Sequence, residues 1–294
     1  MTHYLSVYWD VDPVFFTLGS FKLGYYNLLF ITGFAIGLFM VKGFFKRENI
    51  PPKIVESLTY TSFFAAVIGA RLGHCFFYNP LHFLTHPVEI FMIWKGGLAS
   101  HGGMIGLMIG VWIFVRKYGP RHGFNYMWLA DRVAIPTILA AGCIRLGNLM
   151  NSEIYGVETS LPWGFIFARN GETLPKHPTQ IYEALCYFAI FLLLLWLYRR
   201  FLPKLKTGVL LGLTFVFCFT ARFVIEFIKN PQVEFEEGMR LDMGQWLSIP
   251  FILFGIGLTI WALKRGAPAM LPQKTKIQAA VHKENNRPGK KKRG

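Results

Sequence analysis

The stretch "GCIRLGNLMNSEIYG", residues 142–156, places Arg145, Asn148, Asn151 and Glu153 at the end of a long apolar run. On a helix Arg145 and Asn148 share a face at i, i+3. A guanidinium carries a permanent charge and five donors in a fixed fork, which suits a phosphate or a carboxylate. A lone arginine at a helix end would read as snorkelling to an interface. Three further polar groups close behind it favour binding, because polar residues at membrane depth are costly. The run "ARFVIEF" holds a second set, Arg222 and Glu226 at i, i+4, where an ion pair internal to the protein is the competing reading. "GARLGHCFFYN" adds Arg71 between Gly69 and Gly73, small residues that permit close helix approach. Glu226 and Glu153 could neutralise two of these arginines, and an anionic ligand is the natural further partner.

Two weaker signals join them. In "ASHGGMIG", His101 precedes Gly102 and Gly103. An isolated histidine is usually structural, but one beside glycines, where backbone can approach a ligand, is a candidate base or donor. Tyr26, in "LGYYNLLF", reads first as an interfacial aromatic.

The elements that must position these residues are apolar runs of about 20 residues, the length that crosses a hydrocarbon core. Seven are predicted, near 23–43, 55–79, 97–116, 126–149, 181–199, 208–228 and 246–264, with no internal repeat. Lys46, Arg47 and Lys53 follow the first, Arg116, Lys117 and Arg121 the third, and Arg199, Arg200, Lys204 and Lys206 the fifth. A basic tail follows the seventh, and the intervening connections lack excess positive charge. The positive-inside rule then puts the N-terminus outside and the C-terminus in the cytoplasm. Arg145, Arg222, Arg71, His101 and Tyr26 all fall toward the outer ends of their runs. Two outer segments, about 150–180 and 229–245, are long enough to be functional.

Composition agrees with a multi-pass membrane protein. The 294 residues are 53% hydrophobic and only 16% charged, with mean hydropathy +0.38; a soluble domain carries about a quarter charged residues. The formal charge of +15 is concentrated toward residues 266–294, which hold eight Lys/Arg and one Glu and end in "KKKRG". That tail reads as a disordered cytoplasmic end, with anionic lipid headgroups as the minority partner. Nucleic-acid binding is not expected, because the remaining charge is scattered. Cys75, Cys143, Cys186 and Cys218 lie in apolar runs without metal-ligand spacing, so neither a disulfide framework nor a metal site is expected. The first 20 residues, interrupted by Asp10 and Asp12, do not read as a signal peptide.

Together these motifs resemble the bacterial prolipoprotein diacylglyceryl transferase family. Its signature runs Gly-Arg-Ile-Gly-Asn-Phe-Ile-Asn-Gly-Glu and ends in Gly; Arg145, Gly147, Asn148, Asn151, Glu153 and Gly156 match it. "SHGGMIG", "GARLGHCFFYN", "HPTQIYEA", "RFVIEF" and "MGQWLSIP" match further blocks in order, so the resemblance covers about residues 10–262. It implies an all-α integral membrane protein. Seven transmembrane helices over 1–265 would form a bundle, capped by a small periplasmic head from the outer loops and followed by the tail at 266–294. It implies transfer of a diacylglyceryl group from phosphatidylglycerol to the lipobox cysteine of a prolipoprotein signal peptide in the cytoplasmic (inner) membrane, without a cofactor. Arg145 would hold the phospholipid headgroup, Arg222 and Glu226 would serve substrate binding and catalysis, and His101, Gly102 and Gly103 would form an activity motif. Tyr26, Asn148, Glu153 and Gly156 match positions tied to function. The chain departs from the family pattern at Cys218, where a tyrosine is common, at Lys95 in "WKGG", and at Cys143–Ile144 before Arg145.

Three other classes compete. A transporter or flippase for an anionic lipid or metabolite would also gather cations, but predicts inner-face access and often repeats. An alcohol phosphotransferase would need clustered aspartates for metal, and the runs contain only Asp131. A structural scaffold would not need this concentration of outer arginines.

Overall fold

The computed structural model describes residues 6–19, 21–77, 80–92, 99–230 and 241–270. The expectations for Lys95, for most of 229–245 and for nearly all of the basic tail therefore lie outside the described residues. In chain order the elements are β1 (Val7–Trp9), β2 (Val14–Leu18), β3 (Phe21–Gly24), α1 (Tyr25–Arg47), α2 (Lys53–Phe77) and α3 (Pro80–Thr85). A 3-10 turn at Pro87–Phe91 precedes α4 (Ser100–His122) and α5 (Tyr126–Met150), followed by β4 (Phe165–Phe167) and a second 3-10 turn at Ala168–Asn170. The chain closes with α6 (Thr179–Phe201), α7 (Val209–Glu226) and α8 (Met243–Arg265).

Each predicted apolar run falls on a helix. Five of these, α1, α5, α6, α7 and α8, are long and apolar enough to cross a membrane. Their outward positions carry large apolar side chains such as Phe34, Phe39, Trp196 and Leu253, all exposed. Helices α2 and α4 are as long but less apolar, and they pack on each other through glycines. A side-chain carbon on Gly102 would strike the Gly69 carbonyl, and one on Gly73 would lie 2.8 Å from the Gly102 Cα. These small residues let the two backbones touch.

The expectation of a wholly helical protein is corrected by two small sheets. β1 pairs in parallel with β4, and β2 pairs with β3 as a hairpin leading into α1. The Trp9 indole nitrogen donates to the Leu149 carbonyl at 3.1 Å, tying β1 to the end of α5.

The chain divides into two compact units, one drawn from Met1–Val41 and Ala130–Ala269, the other built on Lys42–Leu129. In the second, Phe45, Phe114, Phe124 and Trp128 form a buried aromatic cluster. Arg71 belongs to this unit. It is buried and donates to the carbonyls of Ile90 and Glu89 at 2.9 and 2.5 Å, with its guanidinium against the Phe83 ring. Both of these acceptors are main-chain oxygens.

In the first unit, helix starts explain two buried polar residues. Helix α7 begins after Gly208, which has no side chain to cap it and adopts φ 97°. Buried Asp131 of α5 supplies the cap, accepting from the Gly208 and Leu211 amides at 2.7 and 2.8 Å. Helix α8 carries its own capping box, with Asp242 and Gln245 exchanging side-chain-to-backbone bonds. Helices α7 and α8 meet through Gly212 and Gly255, where a side-chain carbon on Gly255 would lie 2.8 Å from the Gly212 carbonyl oxygen.

Candidate active site

The opening motif forms the last turns of α5 and the turn beyond it. Ser152 and Ile154 adopt φ of 54° and 62°, a left-handed conformation uncommon outside glycine. Such a turn persists only when its surroundings hold it. Asn170 donates to the Ser152 carbonyl at 2.6 Å, Gln180 to that of Glu153 at 2.7 Å, and Thr179 to that of Ile154 at 2.8 Å. The turn brings Glu153 back over the helix end, where its carboxylate accepts from Asn148 at 2.7 Å and Asn151 at 3.2 Å. Glu153 is therefore held by amides rather than by an arginine.

Gly147 and Gly156 are explained by space. A side-chain carbon on Gly147 would lie 2.8 Å from the Tyr26 ring, so Tyr26 of α1 packs directly on the signature helix. One on Gly156 would strike the Ile228 carbonyl and lie 2.8 Å from His177 and Thr179. Gly156 pairs with Lys229 across an isolated antiparallel bridge, and its amide donates to the His177 carbonyl at 2.8 Å. Burial pushes His177 below the ordinary histidine range. Nearby, Lys176 joins Glu158 and Glu172 at 3.2 and 3.3 Å, and Tyr155 donates to Glu172 at 2.8 Å. Burial alone would lower the Lys176 pKa, but its bonds to Glu158 and Glu172 outweigh this and raise it.

The arginines are linked by a chain of alternating charge. Arg145 Nε lies 2.8 Å from Glu183 Oε2 of α6. The contact is an ion pair by distance, but its N–H is not aimed well enough to make a hydrogen bond to that oxygen. The other Glu183 oxygen accepts from Lys229 Nζ at 3.3 Å, and Lys229 also reaches Glu226 Oε2 at 3.4 Å. Arg222 Nε stands 3.9 Å from the same Glu226 oxygen, a loose contact. The two inner members, Glu183 and Lys229, are almost fully buried, whereas the Arg145 and Arg222 side chains remain 15% and 34% exposed. Guanidinium groups thus stand at both ends of this chain of contacts. Gly244 makes room for the carboxylate of Glu226, since a side-chain carbon there would sit 2.6 Å from it.

Arg145, Asn148, Glu153, Gly156, Arg222, Glu226 and Tyr26 thus lie in one unit, the first six within one network of contacts or its supporting turn. His101, Gly102 and Gly103 belong to the other unit. The backbone of His101 begins α4, and its side chain lies outside the described residues. Gly102 and Gly103 face Gly69 and Ala70 of α2, which accounts for their small size by helix packing. Among the described residues, no group of three or more His, Cys, Asp or Glu side chains could hold a metal ion.

Sequence reasoning did not single out Glu183, Lys229, Thr179 or Gln180 as individual site residues. The signal for three of them was present, because Thr179, Gln180 and Glu183 stand in "HPTQIYEA" at spacings that share one helical face. Lys229 had none, lying just past a helix end where a lysine normally reads as solvated.

The prolipoprotein diacylglyceryl transferase family description matches residues 13–261. The chain belongs to this family. Among its curated relatives, the phosphatidylglycerol–prolipoprotein diacylglyceryl transferase of Tolumonas auensis is 46% identical, over 89% of this chain and 99% of its own length. The proteins of the same name from Porphyromonas gingivalis and Chloroherpeton thalassium are 45% and 42% identical, over 90% and 88% of this chain and 97% and 95% of their own. Within this transferase family the charge chain around Arg145 and Arg222 is the natural candidate for the reacting site.

Proposed function

We propose that the protein transfers the diacylglyceryl group of phosphatidylglycerol to the lipobox cysteine thiol of prolipoproteins. The observation that carries this reading is the pair of part-exposed guanidinium groups, Arg145 and Arg222, at the two ends of one buried charge chain, donors suited to the anionic oxygens of a phosphodiester. The thiol loses its proton and the thiolate attacks the glyceryl carbon. The carbon–oxygen bond to phosphate breaks, a thioether forms, and glycerol phosphate leaves. The phosphate gains negative charge as it departs, so guanidinium groups aimed at it stabilise the transition state more than the bound lipid.

In this reading Arg145 and Asn148 take the headgroup, Arg222 with Glu226 completes the clamp, and Tyr26, Glu153 and Gly156 support it. His101, with Gly102 and Gly103, is an activity motif in which the imidazole takes the thiol proton or orients the substrate. Seven helices cross the cytoplasmic membrane, with the N-terminus outside, residues 150–180 and 229–245 forming a periplasmic head, and 266–294 a cytoplasmic tail. The basic connections support that orientation.

Purified protein, labelled phosphatidylglycerol and a lipobox peptide test the proposal. The expected product is a diacylglyceryl thioether on the peptide. Movement of the lipid between leaflets with the thiol unmodified would instead establish the flippase alternative.

A further inference from the structure

Lys229 stands in the middle of the charge chain, and its side chain is only 2% exposed. Main-chain bonds fix its place. The Lys229 amide donates to the Glu226 carbonyl at 3.1 Å, and its neighbours Ile228 and Asn230 are bonded to Val157 and Tyr155 at 3.0 and 3.3 Å. From there the ammonium divides itself between two carboxylates, Glu183 Oε1 at 3.3 Å and Glu226 Oε2 at 3.4 Å. The same two carboxylates are the counterions of the arginines. Arg222 and Glu226 stand four residues apart on α7, a spacing at which opposite charges readily meet. A charge-assisted bond would close to about 2.7–2.9 Å. The gap is instead 3.9 Å, and the Glu226 oxygen nearest Arg222 is the one that Lys229 reaches. Glu226 also lies against the first turn of α8, where Gly244 leaves room for its carboxylate and the helix presents its positive end. Both attractions hold the carboxylate off Arg222, whose side chain stays 34% exposed.

Resting on the reading of Arg145 and Arg222 as the phosphate clamp, we propose that Lys229 is a positioning residue for that clamp. Its ammonium occupies the carboxylates that would otherwise close on the arginines, and so keeps Arg222 open to the phosphate of the lipid. Without it, the two guanidinium groups are the remaining cations of the chain, and each carboxylate turns to the arginine beside it. Glu226 then closes on Arg222, and an arriving phosphate must displace a formed ion pair. Lys229 acts through the arginines and touches neither the lipid nor the thiol.

Steady-state transfer by purified Lys229→Met tests this, with KM measured separately for phosphatidylglycerol and for a lipobox peptide. The KM for phosphatidylglycerol is expected to rise about tenfold, the worth of one hydrogen bond to a charged group, while the peptide KM stays unchanged. A purely structural role would only lower the amount of active enzyme, so that kcat falls and both KM values stay as in the wild type. That pattern, or an equal rise in both KM values, overturns the proposal. A second variant, Lys229→Met with Glu226→Gln, removes the carboxylate that would close on Arg222 and leaves Glu183 paired with Arg145. Its KM for phosphatidylglycerol should return to near the wild-type value, whatever its kcat. A KM still raised about tenfold in the double variant overturns the proposal even should Lys229→Met alone fail to fold. Absence of transfer from phosphatidylglycerol by the wild type overturns the underlying phosphate reading instead.

Discussion

Arg145 meets two different partners with two parts of its guanidinium, Glu183 through Nε at 2.8 Å and Asn148 through Nη1 at 3.5 Å. A lysine keeps the charge but has one nitrogen and no fork. Arg145→Lys is therefore expected to insert and fold normally while transfer falls about 10²–10³-fold, the loss typical of one donor to a developing oxyanion. Steady-state rates on detergent-solubilised protein check this, and turnover within a few-fold of wild type would remove Arg145 from the phosphate clamp. Lys229 and Glu183 give a second residue-scale prediction. Removing either one leaves a buried charge short of its counterion, a defect of about 3–5 kcal/mol. Glu183→Gln with Lys229→Met should lose less stability than the sum of the single changes, by about 0.5–3 kcal/mol. Strict additivity in thermal unfolding would show that the 3.3 Å contact contributes no coupling. The outer members of this chain were legible in the sequence because arginine and glutamate are conspicuous inside apolar runs. The linking members were not singled out: Glu183 stands at the very start of its run and Lys229 just past the end of another, and their pairing depends on how α6 approaches the ends of α5 and α7.

Among the elements, the short segment after α5 is tied to the one after α7. Val157 donates to the Ile228 carbonyl at 3.0 Å, and Asn230 to that of Tyr155 at 3.3 Å. Gly156 sits between these bonds with no room for a side-chain carbon. Gly156→Ala must push residues 228–229 away, and with them the ammonium that bridges Glu183 and Glu226. Overpacking of this kind costs about 1–3 kcal/mol. The expected result is a lower Tm together with a loss of transfer, read by thermal unfolding and product formation. A variant with unchanged Tm and full activity would show that the 155–157 and 228–230 segments separate freely. Helix positions were readable from apolar run length, and their ends shifted by a few residues, most at α4, which runs on past 116 to His122. The short strands were not readable, because three-residue pairings such as Val7–Trp9 with Phe165–Phe167 lack a sequence period long enough to register. The glycines of α2 and α4 were visible, and Gly69 and Gly73 read as allowing close helix approach; that Gly102 is the residue approaching them was not.

At the scale of the whole molecule, the charge alternation and the site must agree on one face. A reporter fused after Arg265 is expected to be active only in the cytoplasm, and one inserted near Asn170 only outside. The opposite pattern would place the arginine clamp on the side of the membrane away from exported prolipoproteins. The central claim is more specific than orientation: the thiolate attacks carbon, and phosphate is the leaving group. The direct measurement uses phosphatidylglycerol carrying a heavy oxygen isotope in the bridge between the glyceryl carbon and phosphorus, with a lipobox peptide as acceptor. The account predicts that the label leaves entirely with glycerol phosphate and that the peptide sulfur gains an unlabelled diacylglyceryl group. Label retained on diacylglycerol would mean that the phosphorus–oxygen bond broke, and it would contradict the account.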